Sequence, residues 1–331
     1  MTLQTPLTQH AGIALPIIGG AMYPCSNVEL VAAVSEAGGI GIVQPISLTY
    51  VHRHEYRAGL RTIRELTTKP FGLNALIEAS SRAYHQRMVT WVNVALEEGI
   101  RFFVTSLGNP RWVVDAVTPF GGVVYHDVTE RKWALKGRDG GVHGLIAVNR
   151  RAGGHSGERS PEALLAELQD LGLPVVCAGG IGSGAEFAAA LRIGYAGVQL
   201  GTRLIATPEC TASDAYKAAI VAAREDDIVH TERLSGVPVA VIRTPYIERI
   251  GTRIGPIARR LFRGRRTKKW IRAWYGLRGF YQLKKTSIAG EARADDPARA
   301  VWQAGQSVAT IDRIQPVADI FADFARSAEH G

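Results

Sequence analysis

A chain of 331 residues, 46% of them hydrophobic, is long enough to bury a large core. Its three cysteines, Cys25, Cys177 and Cys210, are too few and too scattered for a disulfide framework or a zinc site, so no metal is expected. The net charge of +9 comes without a nucleic-acid motif, no apolar run nears the ~20 residues of a membrane span, and no leader-like segment opens the chain, so the expectation is a cytoplasmic protein that binds no nucleic acid.

Short apolar runs recur along the chain at 16–19, 39–43, 71–76, 101–105, 122–126, 144–148, 174–178 and 197–200. Helical patterns lie between them, near 27–37, 51–66, 82–98, 110–117, 129–139, 161–171, 183–192 and 211–224. The first should start with a capping box, Ser26 with Glu29. The fourth and sixth should start at Asn109-Pro110 and Ser160-Pro161, a cap followed by proline in the first turn. Continuous apolar strands suit a parallel sheet buried on both faces. A doubly wound sheet would carry its glycine-rich loop after the first strand. Here the richest loops come last, which favours a (β/α)8 barrel. The division expected is a barrel over 1–225 and a smaller, mainly helical region over 226–331, of which 304–331 packs back on the barrel.

The two late loops carry the first functional signal. Gly179 and Gly180 end the seventh strand, and Gln199, Leu200, Gly201 and Thr202 end the eighth. Glycines admit an anion close to backbone N–H groups, and a following helix adds partial positive charge. Two such strand ends side by side make a phosphate cup. The sixth strand leads into Ala152-Gly153-Gly154-His155-Ser156-Gly157, at the barrel end where catalytic groups sit. A histidine there can act as base or hydrogen-bond donor; the plainer role is to cap a helix or bond a carbonyl. His126 and Asp127 end the fifth strand and are expected at the same mouth. Gly20, Ala21 and Met22 offer a bare backbone to a planar ring, and Asn74 offers donor and acceptor to a heterocycle. Together these suggest a mononucleotide-like ligand.

From Arg249 to Lys285 there are thirteen Lys or Arg and no Asp or Glu, leaving 26 basic against 30 acidic residues elsewhere. Aromatics are interleaved. The segment reads as a lid in which Trp270, Trp274 and Tyr275 cover the mouth and the arginines face water, or as a site for an anionic membrane or protein.

The chain resembles the nitronate monooxygenase family, formerly 2-nitropropane dioxygenases. The matching pieces are 16–24, Gly38-Gly39-Ile40-Gly41, Gly72-Leu73-Asn74, the Gly-Gly-His loop, Ala178-Gly179-Gly180-Ile181, Gln199-Leu200-Gly201-Thr202-Arg203 and Ala304-Gly305-Gln306. The resemblance implies non-covalent FMN. Gly179, Gly180, Gly201 and Thr202 would hold its phosphate, and Asn74, His126, Gly153, Gly154, Gln199, Leu200 and Gly20 to Met22 would border the flavin. It makes His155 the catalytic residue. The implied reaction takes an alkyl nitronate and O2 to a carbonyl compound and nitrite. Two departures stand out: Val148-Asn149-Arg150-Arg151 precedes the histidine loop, so a side-chain contact to the flavin would be lacking or supplied by Asn149, and Asp127 stands where some members have lysine. The same loops occur in FMN- and NAD(P)H-dependent enoyl-thioester reductases, the first alternative. The second is a flavin-binding protein recruited to an anionic membrane or protein.

Overall fold

The computed structural model describes residues 3–78, 81–255 and 267–330. Eight parallel strands close a barrel in sequence order. They are β1 (Ile17–Gly19), β2 (Ile40–Val43), β3 (Phe71–Ile77), β4 (Phe102–Leu107), β5 (Val123–Val128), β6 (Gly144–Val148), β7 (Val175–Ala178) and β8 (Gly197–Leu200). All eight expected strands are present, and β1 pairs with both β2 and β8 to close the ring.

Side chains alternate along each strand. Ile18, Ile42, Val104, Tyr125, Ile146 and Val176 fill the interior. Their neighbours Ile17, Leu73, Phe103, Val124, Ala147 and Val198 pack outward against helices. Helix α1 (Pro6–Ala11) plugs the N-terminal end: Leu7 and Ala11 join the interior cluster, and His10 Nδ1 lies 3.1 Å from the Tyr125 hydroxyl. The C-terminal end carries the loops that matter.

The outer ring contains α2 (Val28–Glu36), α3 (Tyr56–Leu66), α4 (Arg82–Glu97), α5 (Arg111–Val117), α6 (Arg131–Asp139), α7 (Pro161–Leu168) and α8 (Gly184–Arg192). The Ser160 hydroxyl accepts from Ala163 N–H with Pro161 in the first turn, as expected. Asn109 Oδ1 accepts from Arg111 N–H, so it caps α5 from just outside the proline. Ser26 does not cap α2. Its hydroxyl is taken by Met22 N–H at 2.8 Å, which ties the turn after β1, and Asn27 stands at the cap.

After β8 come the short α9 (Thr202–Ile205) and α10 (Asp214–Ala222). The chain then makes an excursion through an antiparallel hairpin, β9 (Ile228–Thr231) and β10 (Val239–Ile242), then α11 (Pro245–Ile250) and α12 (Thr267–Ser287). The appended region is therefore not wholly helical. It ends in α13 (Val317–His330), which packs between α8 and α2 and fills the gap in the ring expected for the 211–224 helix. Phe324 stacks on Phe187 with ring centroids 5.4 Å apart. A Cβ on Gly39 would come within 2.7 Å of the Phe321 ring, so that close approach requires glycine.

Phe324 is 2% exposed, so Phe324→Ala should cost about 3–5 kcal/mol of stability in chemical denaturation. A loss under ~1 kcal/mol would mean that α13 is not part of the barrel wall.

Candidate active site at the barrel mouth

The loop after β6 is held from below by Asn149, which is fully buried. Its Nδ2 donates to Gly179 O at 2.9 Å, and its Oδ1 accepts from Arg151 N–H at 2.8 Å. Both polar ends are thus spent on protein, and Asn149 supplies no flavin contact in this arrangement. Gly179 and Gly180 have φ of 114° and 81°. A Cβ on Gly179 would lie 2.5 Å from Ala152 N.

From above, the returning chain clamps the same loop. Gln306 N–H donates to Arg151 O at 2.9 Å, and Gly305 N–H donates to Thr202 Oγ1 at 3.0 Å. A Cβ on Gly305 would sit 2.5 Å from Arg151 O, and one on Gly153 would sit 2.9 Å from Ala304 C. On the third side Gly154 exchanges both backbone hydrogen bonds with Ala240 of β10, at 3.2 and 2.7 Å.

So fixed, the loop presents His155 at the rim. The ring is open to solvent, yet surrounding protein desolvates it enough to hold its pKa below the ordinary 6.5. It is therefore neutral at pH 7. Its Nε2 lies 3.1 Å from Ser235 Oγ, and the Ser235 hydroxyl donates to Val237 O at 3.2 Å. While the Ser235 proton points to Val237 O, Nε2–H is the donor to Ser235, and that tautomer leaves the Nδ1 lone pair for chemistry.

Alternation turns Asn74 on β3, Asp127 on β5 and Gln199 on β8 into the barrel. Asn74 Oδ1, Asp127 Oδ1 and Gln199 Oε1 are all buried without a hydrogen-bond partner. Burial pushes the Asp127 carboxyl up to about 7, partly offset by the Gln199 side chain beside it. The β1 turn adjoins them: a Cβ on Gly20 would lie 3.0 Å from Gln199 Cγ, and Met22 Sδ lies 3.7 Å from where a Gly201 Cβ would be. Leu200 sends its side chain outward and its carbonyl accepts from Gly20 N–H at 2.9 Å.

His126 is elsewhere. One residue out of phase with Asp127, it points outward, with its Cδ2 3.1 Å from where a Cβ on Gly137 of α6 would be. Its Nδ1 lies 2.8 Å from Thr105 Oγ1, and burial lowers its pKa to about 4. It is a neutral packing histidine, not a mouth residue.

At the α8 N-terminus, Gly182 N–H and Ser183 N–H are already taken by the Glu186 carboxylate, at 2.8 and 3.2 Å. The backbone N–H groups of Gly180, Gly201 and Thr202 have no acceptor among the described residues. Arg151 lies over Gly180, its Nε 2.8 Å from where a Cβ would be, and its Nη2 pairs with Glu186 at 3.2 Å. Its position beside Gly180 brings a cation to the cup.

Of the segment expected to form a lid, α12 lies within the described residues. Tyr275 is buried, and Tyr23 of the β1 turn donates its hydroxyl to Phe280 O at 3.2 Å, with the two rings 4.8 Å apart. Helix α12 thus rests beside the mouth. Trp274, however, is 56% exposed and so is not packed over the mouth. Residues 256–266 and the Trp270 side chain, which belong to the same expectation, lie outside the described residues.

Three orphan acceptors beside a glycine turn, with free N–H donors and an arginine at the neighbouring strand ends, fit a planar heterocycle with an anionic tail. A flavin mononucleotide has that chemistry.

Known proteins resemble this chain over most of its length. A family model described as nitronate monooxygenase matches residues 4–326. A Mycobacterium tuberculosis protein named as a (3aS,4S,5R,7aS)-5-hydroxy-7a-methyl-1-oxo-octahydro-1H-indene-4-carboxyl-CoA dehydrogenase is 32% identical over 254 residues, 76% of this chain and 69% of that one. A nitronate monooxygenase of Pseudomonas aeruginosa is 31% identical, over 69% of this chain and 77% of its own. The structure of FabK from Thermotoga maritima superposes with a TM-score of 0.80 at 28% identity, covering 99% of this chain and 97% of that one.

Asp127 gives a pH prediction. Its folded pKa lies above the unfolded carboxylate value, so its ionisation costs stability as pH rises from about 4 through 7. In flavin-free protein, Asp127→Asn should stabilise at pH 8 by up to ~4 kcal/mol, and the gain should shrink toward zero near pH 4. A pH-independent difference in thermal denaturation would show that Asp127 is not buried as described.

Proposed function

The chain belongs to the nitronate monooxygenase family of oxidoreductases, and on that premise we propose that it binds FMN at the barrel mouth and oxidises alkyl nitronates with O2 to a carbonyl compound and nitrite. The observation that carries the proposal is His155, a neutral imidazole at the rim whose Nε2–H donates to Ser235 in the tautomer that leaves Nδ1 free. When bound, FMN supplies the redox chemistry.

The protein's share is placement and proton handling. Asn74, Asp127 and Gln199 offer polar atoms to the ring, with Gly20 to Met22 and Gly153 alongside. Gly180, Gly201, Thr202 and Arg151 offer donors and charge to the phosphate. Gly179 acts indirectly, by admitting Asn149 and Ala152 against its backbone. His155 Nδ1 removes the α-proton when a neutral nitroalkane enters, and the imidazolium can donate to a nitro oxygen.

A second reading is NAD(P)H-dependent reduction of an enoyl thioester. One observation favours it: a cavity of about 250 Å³ lined by Arg233, Tyr246, Tyr275, Arg278 and Gln282, next in the chain to Ser235. Two cations and two aromatic rings suit the phosphates and base of a coenzyme A tail. The mycobacterial relative carries a carboxyl-CoA in its name.

Anaerobic mixing of the purified protein with ethylnitronate should bleach the flavin spectrum. No bleaching with nitronate, together with NAD(P)H consumption that needs an enoyl-CoA, would replace the first reading by the second.

His155→Ala should retain flavin and lose turnover by about 10²–10⁴-fold. The loss should be greater with nitroalkane than with preformed nitronate. The acid limb of the parent's rate profile with nitroalkane should lie below pH 6.5, the direction set by desolvation. Equal small losses on both substrates would leave His155 a structural residue.

A further inference from the structure

Helix α12 has two faces. Tyr275, Gly279, Leu283 and Thr286 are buried against the excursion and the returning chain. Leu283 packs with Leu234, Val239, Val241 and Val301, and Thr286 Oγ1 donates to Val301 O at 3.0 Å. A Cβ on Gly279 would lie 3.1 Å from Leu234 O, so the helix sits close on that loop. It is a fixed element.

Its other face is anomalous. Trp274, Leu277 and Tyr281, spaced i, i+3, i+7, are 56, 73 and 63% exposed. With Phe280 they make four of the eleven large hydrophobic residues exposed among the described residues, all within eight positions of one helix. Scattered exposed hydrophobics are ordinary; a concentrated stripe marks a contact surface. Cations accompany it: the Arg278 guanidinium lies 5.6 Å from the Trp274 ring centroid, and the Lys285 ammonium 5.1 Å from that of Tyr281. The surrounding segment, 249–285, holds thirteen Lys or Arg and no acid.

We propose that the outer face of α12 docks the enzyme on an anionic lipid surface, Trp274, Leu277 and Tyr281 entering the headgroup layer while the cations meet lipid phosphates. Tryptophan and tyrosine suit that boundary because each has an apolar body and a polar tip. Basic and aromatic residues on one helix are the composition of interfacial helices, and attraction to anionic lipid adds to apolar burial. A second copy of the chain is a poor occupant, since symmetric pairing would bring two acid-free basic faces together. Among the described residues no helix is long and apolar enough to cross a membrane, so the contact is peripheral. The inference does not depend on which substrate is turned over.

The test is flotation of the full-length, flavin-loaded protein with vesicles of phosphatidylcholine alone or with about one-third phosphatidylglycerol. The protein should float with the anionic vesicles at ~0.1 M salt, stay behind with neutral ones, and release as salt approaches ~1 M. The triple variant Trp274→Ser, Leu277→Ser, Tyr281→Ser should bind at least tenfold more weakly, with unchanged flavin content and turnover. A second readout is quenching of tryptophan fluorescence by brominated lipid, which should fall in Trp274→Phe. Failure of the parent to bind anionic vesicles overturns the proposal, as does equal binding by the triple variant. So does capture of an acidic protein such as an acyl carrier without vesicle binding, which would assign the face to that partner.

Discussion

Three backbone segments meet at the mouth with no side chain between them: the histidine loop at Gly153, the end of β7 at Gly179, and the returning chain at Gly305. At each, a single added carbon would fall 2.5–2.9 Å from another segment's backbone. Contacts that short are not tolerated, so the glycines set the spacing rather than fill it. Asn149 then ties the first two segments by hydrogen bonds, and Gln306 and Gly305 tie the third to Arg151 and Thr202. The position of His155 follows from this packing. So does the long excursion, which must come back to place Gly305 before α13 can close the ring.

The same mouth carries a cost that a ligand would remove. Orphan buried acceptors on Asn74, Asp127 and Gln199 each cost about 1–3 kcal/mol, and the ionised Asp127 adds to it near neutral pH. A fold selected for stability alone would place apolar residues there, as it does one layer down with Ile18, Val104 and Tyr125. Polar atoms retained against that cost are explained by a partner that pairs with them, and binding that partner would raise stability by mass action.

Much of this was legible in the sequence. Parallel strands buried on both faces read as apolar runs, so their number and order came through, as did the glycine loops. Phase was harder. His126 and Asp127 are adjacent, and without a firm inward marker on β5 both were expected at the mouth; Tyr125 in the interior cluster settles the alternation. Long-range competition was invisible. Ser26 could cap a helix or tie a turn, and Met22 decides which. Glu186 forms the capping box of α8 with Ser183, and its carboxylate also takes Gly182 N–H, which leaves Gly180, Gly201 and Thr202 as the free donors at the strand ends among the described residues. The next helical pattern after β8 reads as the eighth barrel helix, whereas the structure fills that place from the C-terminus.

The central claim is that the orphan polar atoms at the mouth await a flavin ring. Titrating flavin-free protein with FMN, followed by quenching of flavin fluorescence, tests it most directly. The account predicts saturable one-to-one binding, weakened at least tenfold in Gln199→Leu, since one hydrogen bond to a buried partner is worth about 1.5 kcal/mol. Failure of the parent protein to bind FMN, or undiminished binding by the leucine variant, would contradict it.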